Sequence, residues 1–110
     1  MKQGEIWNAN LNPSKGSEQA GFYPVVILSG NLLNQHLNVV IVAPLTTQIK
    51  KYKGNPILNP TKSNGLKRDS ELLVFHIRSV SKDRLVSRIG HAESDQLDRA
   101  IKTLNDILKY

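Results

Sequence analysis

The two most apolar stretches of the chain, Tyr23 to Leu28 and Leu37 to Ala43, are short, rich in β-branched residues and almost unbroken by polar positions. A strand with one wet face alternates apolar and polar residues, whereas a near-continuous run implies cover on both faces. The pair therefore predicts two strands buried on both sides, which obliges the rest of the chain to supply that cover.

The remaining segments are read in the same way. Glu5 to Leu11 alternates loosely around Trp7 and is predicted as a strand, ended by Asn12-Pro13. Residues 12 to 22 read as a loop, and 29 to 34 as a turn with about one turn of helix. The polar, basic stretch from Thr46 to Asn55 is expected to be a mobile surface loop. Pro56 to Leu58 is an edge strand at best, because proline removes a ladder donor. Glu71 to Val80 and Leu85 to Ile89 are predicted as two strands joined by the turn Ser81-Lys82-Asp83-Arg84. Then the period changes: Leu97, Ala100, Ile101, Leu104, Ile107 and Leu108 recur at three and four, the stripe of an amphipathic helix. Ser94 is its expected N-cap, with Glu93, Asp95 and Asp98 near the positive end of the dipole. Five or six short strands followed by one helix predict an α+β fold, a small curled antiparallel sheet or barrel carrying a carboxy-terminal helix. A chain of 110 residues suits one domain over 1–110.

Composition excludes several classes. There is no cysteine, which removes disulfides, thiolate chemistry and cysteine zinc sites and fits a reducing cytoplasm. Residues 1 to 20 lack the apolar core of a signal peptide, and no stretch approaches the about 20 apolar residues that span a bilayer, so a soluble protein is expected. The formal charge of +6 is segregated: residues 47 to 91 hold ten Lys or Arg against three acids. Such a segment favours a polyanionic partner, and reads about as well as a lysine-rich solvated surface. With 5% aromatic residues, stacking platforms for unpaired bases are few; Trp7, Tyr23 and Tyr52 are the candidates. His36, His76 and His91 are far apart without metal-ligand spacing, and no Walker or dinucleotide glycine pattern is present, so neither metal nor cofactor is expected.

The motifs Gly4-Glu5-Ile6-Trp7, Asn12-Pro13-Ser14-Lys15-Gly16-Ser17-Glu18-Gln19-Ala20-Gly21 and Pro24-Val25-Val26-Ile27-Leu28 stand in an order that resembles the amino-terminal signature of the MazF/PemK/Kid toxins. Those are sequence-selective endoribonucleases of bacterial toxin–antitoxin pairs. The likeness continues through Val42-Ala43-Pro44-Leu45-Thr46-Thr47-Gln48, Gly65-Leu66-Lys67-Arg68-Asp69-Ser70, Ile77-Arg78-Ser79-Val80 with Asp83-Arg84-Leu85, and the closing helix. Single pieces are weak and the ordered set is specific. It implies an SH3-like antiparallel barrel, a homodimer, single-stranded RNA as substrate, and an acidic antitoxin that covers the basic groove.

By the same resemblance the chemistry is metal-free transesterification, in which a ribose 2′-OH attacks its own phosphate. That reaction needs a group to accept the 2′ proton, one to protonate the leaving 5′ oxygen, and donors or cations on the phosphorane oxygens. Glu18 matches a loop glutamate important for activity in the family, and also reads as a solvated loop acid. Thr46 matches the threonine paired with the family's catalytic arginine; its plainer reading is a loop-start threonine satisfying a backbone amide. Lys15, Gln19, Thr47, Gln48, Lys50 and Lys51 fall where the family engages RNA, or belong to a plain solvated loop. One position departs: the arginine that usually precedes the proline of the second strand is Tyr23 here, and a phenol makes no bidentate cationic clamp. Arg78, expected to share one strand face with His76, is the replacement cation, with His76 as the acid. The alternatives are a pairing of Arg78 with Glu71 or Asp69, and a packing role for His76. The departure leaves open a catalytically degenerate module that binds RNA or antitoxin only; a second alternative is a CcdB-like gyrase poison.

Overall fold

A computed structural model of the chain describes residues 1–11 and 22–109. The described residues form strands β1 (Glu5–Asn10), β2 (Phe22–Ile27), β3 (Val39–Thr46), β4 (Ile57–Leu58), β5 (Ser70–Leu72), β6 (Arg78–Ser81) and β7 (Leu85–His91), with helices α1 (Asn31–His36) and α2 (Ser94–Lys109). Every pairing is antiparallel, in the order β4-β5-β3-β2-β1-β7. One strand serves two partners on the same edge: Val39–Val42 of β3 pair with β6, and Leu45–Thr46 pair with β5. Together with two register shifts between β1 and β7, this curls the sheet into a half-barrel.

From Val25 to Leu28 the near-continuous run at β2 is covered on both faces, as its composition predicts, whereas Tyr23 at its start is exposed. Val26 and Leu28 enter one core cluster with Ile6, Ala43, Leu45, Leu72 and Val74, while Val25 and Ile27 enter a second with Ala9, Val40, Val42 and Val80. The first is closed by α2, whose Ala100 is fully buried and whose Leu97, Ile101 and Leu104 pack against it. The second forms the floor beneath the site described below.

Several boundaries differ from the sequence expectation, each for a local reason. The run from Glu71 to Val80 is not one strand: it is broken by a 3-10 turn at Val74–His76, whose His76 N–H bonds the Leu73 carbonyl. The second β-branched run begins at Val39 rather than Leu37, because α1 extends to His36 and the Leu37 N–H closes on the Leu33 carbonyl. Helix α2 is capped one residue earlier than expected. The Glu93 carbonyl accepts from the Leu97 N–H, and the Gln96 side chain returns to accept from the Glu93 N–H at 2.9 Å, so Glu93 and not Ser94 is the N-cap. Pro56 does lie at an edge, supplying only its carbonyl, to the Leu72 N–H. Trp7 is half-buried against the second cluster and donates its indole N–H to Glu5, which also meets Arg88 at 3.6 Å.

The 59–69 loop, which joins β4 to β5, lies on the edge strand β7 through the His91 N–H to Ser63 carbonyl bond. Contact is so close at Gly90 that a Cβ there would sit 2.3 Å from the Ser63 oxygen and 2.6 Å from the Asn64 carbonyl carbon. Backbone cannot yield as a side chain does. Gly90→Ala is therefore expected to cost about 2–3 kcal/mol, lowering Tm by roughly 10 °C. Gly30→Ala, where a Cβ meets nothing within 4 Å, should stay close to wild type in the same thermal melts.

Candidate functional site

Register places the site. Val25 of β2 pairs with Pro44 of β3, and Val42 of β3 pairs with Arg78 of β6. Side chains two apart on a strand share a face, so Tyr23 joins Val25, and Thr46 joins Pro44 and Val42. Arg78, opposite Val42, stands on that same face. The result is a groove of about 500 Å³ lined by Leu11, Tyr23, Pro44, Leu45, Thr46, Leu73, His76, Ile77 and Arg78. Four side chains that the sequence singles out, Tyr23, Thr46, His76 and Arg78, thus line one groove. His76 arrives there from the 3-10 turn, not from the strand face shared with Arg78 that the sequence suggests.

Each group has a definite state. The Thr46 hydroxyl oxygen accepts from the Gln48 N–H at 3.1 Å, which fixes its rotamer and leaves its own proton to donate. The amide-satisfying reading of Thr46 therefore holds alongside its place in the groove. Arg78 is exposed and has no ion pair among the described residues, and Glu71 and Asp69 are engaged elsewhere. Tyr23 is 42% exposed. The His76 ring lies 4.4 Å from that of Phe75 at 72°. Among the described residues no three His, Asp or Glu side chains stand together as a metal site.

The basic loop after Thr46 is held in place, contrary to the expectation of a mobile segment. Glu71, on β5, has no accessible surface. Its carboxylate accepts from the backbone N–H groups of Lys50 (2.8 Å), Lys51 (2.9 Å) and Tyr52 (2.9 Å), and from the Asn55 amide (3.2 Å). Three successive N–H groups converge on one anion because Lys51 adopts φ 58°, the left-handed conformation that folds a loop into an anion nest. Burial raises the Glu71 pKa, but these donors more than offset it and hold the carboxyl below the usual range. Asn55 continues the tie, accepting from the Val74 N–H at 3.3 Å. The nest around Glu71 escapes sequence reasoning, because an acid that follows Arg68-Asp69-Ser70 at the head of an apolar run reads as an ordinary surface charge.

Not every expected residue joins the groove. Thr47 faces a second cleft with Lys67, Arg68, Gly65 and Asn8. Gln48, Lys50 and Lys51 are exposed on the loop beyond Thr46. Lys15, Glu18 and Gln19 lie outside the described residues. No helix among the described residues is long and apolar enough to cross a membrane.

Known proteins share this architecture and sequence. A family model described as the PemK-like, MazF-like toxin of type II toxin–antitoxin systems matches residues 2–108. The chain is 34% identical over 105 residues to endoribonuclease EndoA of Bacillus subtilis, covering 94% of this chain and 90% of that one. It is also 34% identical over 109 residues to endoribonuclease MazF of Staphylococcus saprophyticus, covering 98% and 88%. Among solved structures, MazF from Deinococcus radiodurans superposes with a TM-score of 0.81 at 24% identity over 100% of this chain and 97% of that one. A mycobacterial endoribonuclease, solved with its cognate antitoxin, gives 0.75 at 18% identity over 100% and 98%. The curled antiparallel half-barrel with its carboxy-terminal helix is the fold of those toxins, and the chain belongs to the PemK-like, MazF-like toxin family.

Proposed function

We propose that the protein is an endoribonuclease toxin that cuts single-stranded RNA by attack of a ribose 2′-OH on the adjacent phosphate. The observation that carries this is the convergence of Tyr23, Thr46, His76 and Arg78 on one groove in a chain of this family. A bond forms between the 2′ oxygen and phosphorus while the bond from phosphorus to the 5′ oxygen breaks, leaving a 2′,3′-cyclic phosphate and a 5′-OH. Arg78 supplies the cation for the phosphorane oxygens, and the Thr46 proton and Tyr23 hydroxyl supply neutral donors. His76 protonates the leaving 5′ oxygen, and Glu18 takes the 2′ proton.

The exposed lysines of the 50–53 loop would track the phosphate backbone, with Gln48 beside them. By family, the working form is a cytoplasmic homodimer, silenced by an acidic antitoxin segment laid over this groove. The test is incubation of purified protein with a long single-stranded RNA in EDTA, mapped by primer extension. Discrete cuts are expected. Intact RNA over a wide range of protein concentration would instead make Tyr23 the mark of a binding-only homologue.

A further inference from the structure

We propose that Tyr52, Phe75 and His76 form a stacking platform that takes an unpaired base of the RNA lying next to the reacting groove; this rests on the ribonuclease reading above. The Tyr52 and Phe75 rings meet edge to face, 5.3 Å apart at 84°, and Phe75 meets His76 at 4.4 Å and 72°. Tyr52 is 50% and Phe75 46% exposed, so two of the chain's few aromatic rings are kept in water and against each other. An edge-to-face pair leaves ring faces open for a third π-system. His76 also lines the groove that holds Thr46 and Arg78, so the platform runs directly out of it.

The platform is built in advance of any ligand. The backbone at Tyr52 is fixed by its N–H to Glu71, and Asn55 ties the loop bearing Tyr52 to the turn bearing Phe75 by bonding both Glu71 and the Val74 N–H. Charge names the occupant. Exposed Lys50, Lys51 and Lys53 flank Tyr52 with no acidic residue among positions 46 to 68, which suits a chain of phosphates carrying flat bases.

The experiment compares two non-cleavable probes of about 12 nucleotides, a 2′-O-methyl oligoadenylate and an abasic strand of the same length. Fluorescence anisotropy on the full chain reads their affinity ratio, and cleavage of natural RNA in EDTA is read separately. Wild type should prefer the base-bearing probe by roughly tenfold or more, and Tyr52→Ala/Phe75→Ala should remove most of that preference at unchanged Tm. Tyr52→Phe keeps the ring and should restore the ratio. Lys50→Ala/Lys51→Ala should weaken both probes alike and flatten the salt dependence. A ratio unmoved by the double alanine variant overturns the platform, as does its conversion from dimer to monomer in sedimentation, which would assign the rings to a contact between copies. If wild type cuts RNA yet binds both probes equally, the platform falls and the ribonuclease reading stands; if it neither cuts nor binds, the ribonuclease reading falls and takes the platform with it.

Discussion

Arg78→Ala is expected to slow RNA cleavage by roughly a hundredfold to a thousandfold, the cost of removing one preorganised group from the developing charge of a transition state. The magnitude follows from what the groove offers. Tyr23 and Thr46 present neutral hydroxyls, and among the described residues Arg78 is the one lining side chain with a permanent positive charge. Its guanidinium has no ion pair among the described residues and lies exposed on β6, so its removal should move Tm by no more than the small shift typical of a surface site. Arg78→Lys should recover only part of the rate, since an ammonium keeps the charge and loses the planar bidentate fork. Single-turnover rates with Tm measured in parallel check both halves. Tyr23→Arg, which places a guanidinium on β2 in the same groove, should speed cleavage and soften the effect of Arg78→Ala. A full rate in Arg78→Ala would remove Arg78 from the chemistry.

The second large effect is on stability. Glu71→Ala removes the anion on which three backbone N–H groups and the Asn55 amide converge, and leaves those donors facing a cavity at the edge of the core. Each unsatisfied buried donor costs about 1–3 kcal/mol, and with water reaching some of them a total near 3 kcal/mol is expected. That corresponds to a Tm lowered by on the order of 10 °C. Glu71→Gln keeps the shape but turns an amide NH2 toward the nest, setting donor against donor, and should recover little. The same contacts set a pH dependence. Because folding lowers the Glu71 pKa, the unfolded chain takes up the proton first. The stabilisation is complete above the unfolded-state value of about 4.3 and is lost as pH falls through the lower folded value. Glu5 acts in the same sense. Burial raises its pKa, but the Trp7 indole N–H, the Lys2 amide link and Arg88 more than offset this and lower it. Denaturant titrations from neutral to acid pH should show wild type losing stability with a steeper slope than Glu71→Gln. Equal slopes would contradict the account.

Much of the fold is legible in the sequence because it rests on periodicity. The run at Tyr23–Leu28 announces a doubly covered strand, and the three-and-four spacing of Leu97, Ala100, Ile101 and Leu104 announces a helix that packs on it. Element ends are less legible because they depend on partners distant in sequence. Glu71 to Val80 looks like one strand until Thr46 turns out to pair with Glu71 while Val42 pairs with Arg78, which forces a turn at Val74–His76 between them. The groove is legible in part: alternation assigns Tyr23 and Thr46 to faces, but only the register of β2, β3 and β6 brings those faces together. The Glu71 nest and the Tyr52–Phe75 contact are not legible, since each joins residues about twenty positions apart through a backbone conformation at Lys51 that residue type does not encode.

Whether the 2′-OH is the nucleophile is decided at a mapped cut site. A short RNA spanning that site is compared, in EDTA, with the same strand carrying a single 2′-deoxyribose on the 5′ side of the scissile phosphate. Attack by the neighbouring 2′-OH requires cleavage of the first into a 2′,3′-cyclic phosphate and a 5′-OH, and complete resistance of the second. Cleavage of the deoxy-substituted strand, or products ending in a 5′-phosphate, would contradict attack by the neighbouring 2′-OH and with it the roles given to Arg78, Thr46 and His76.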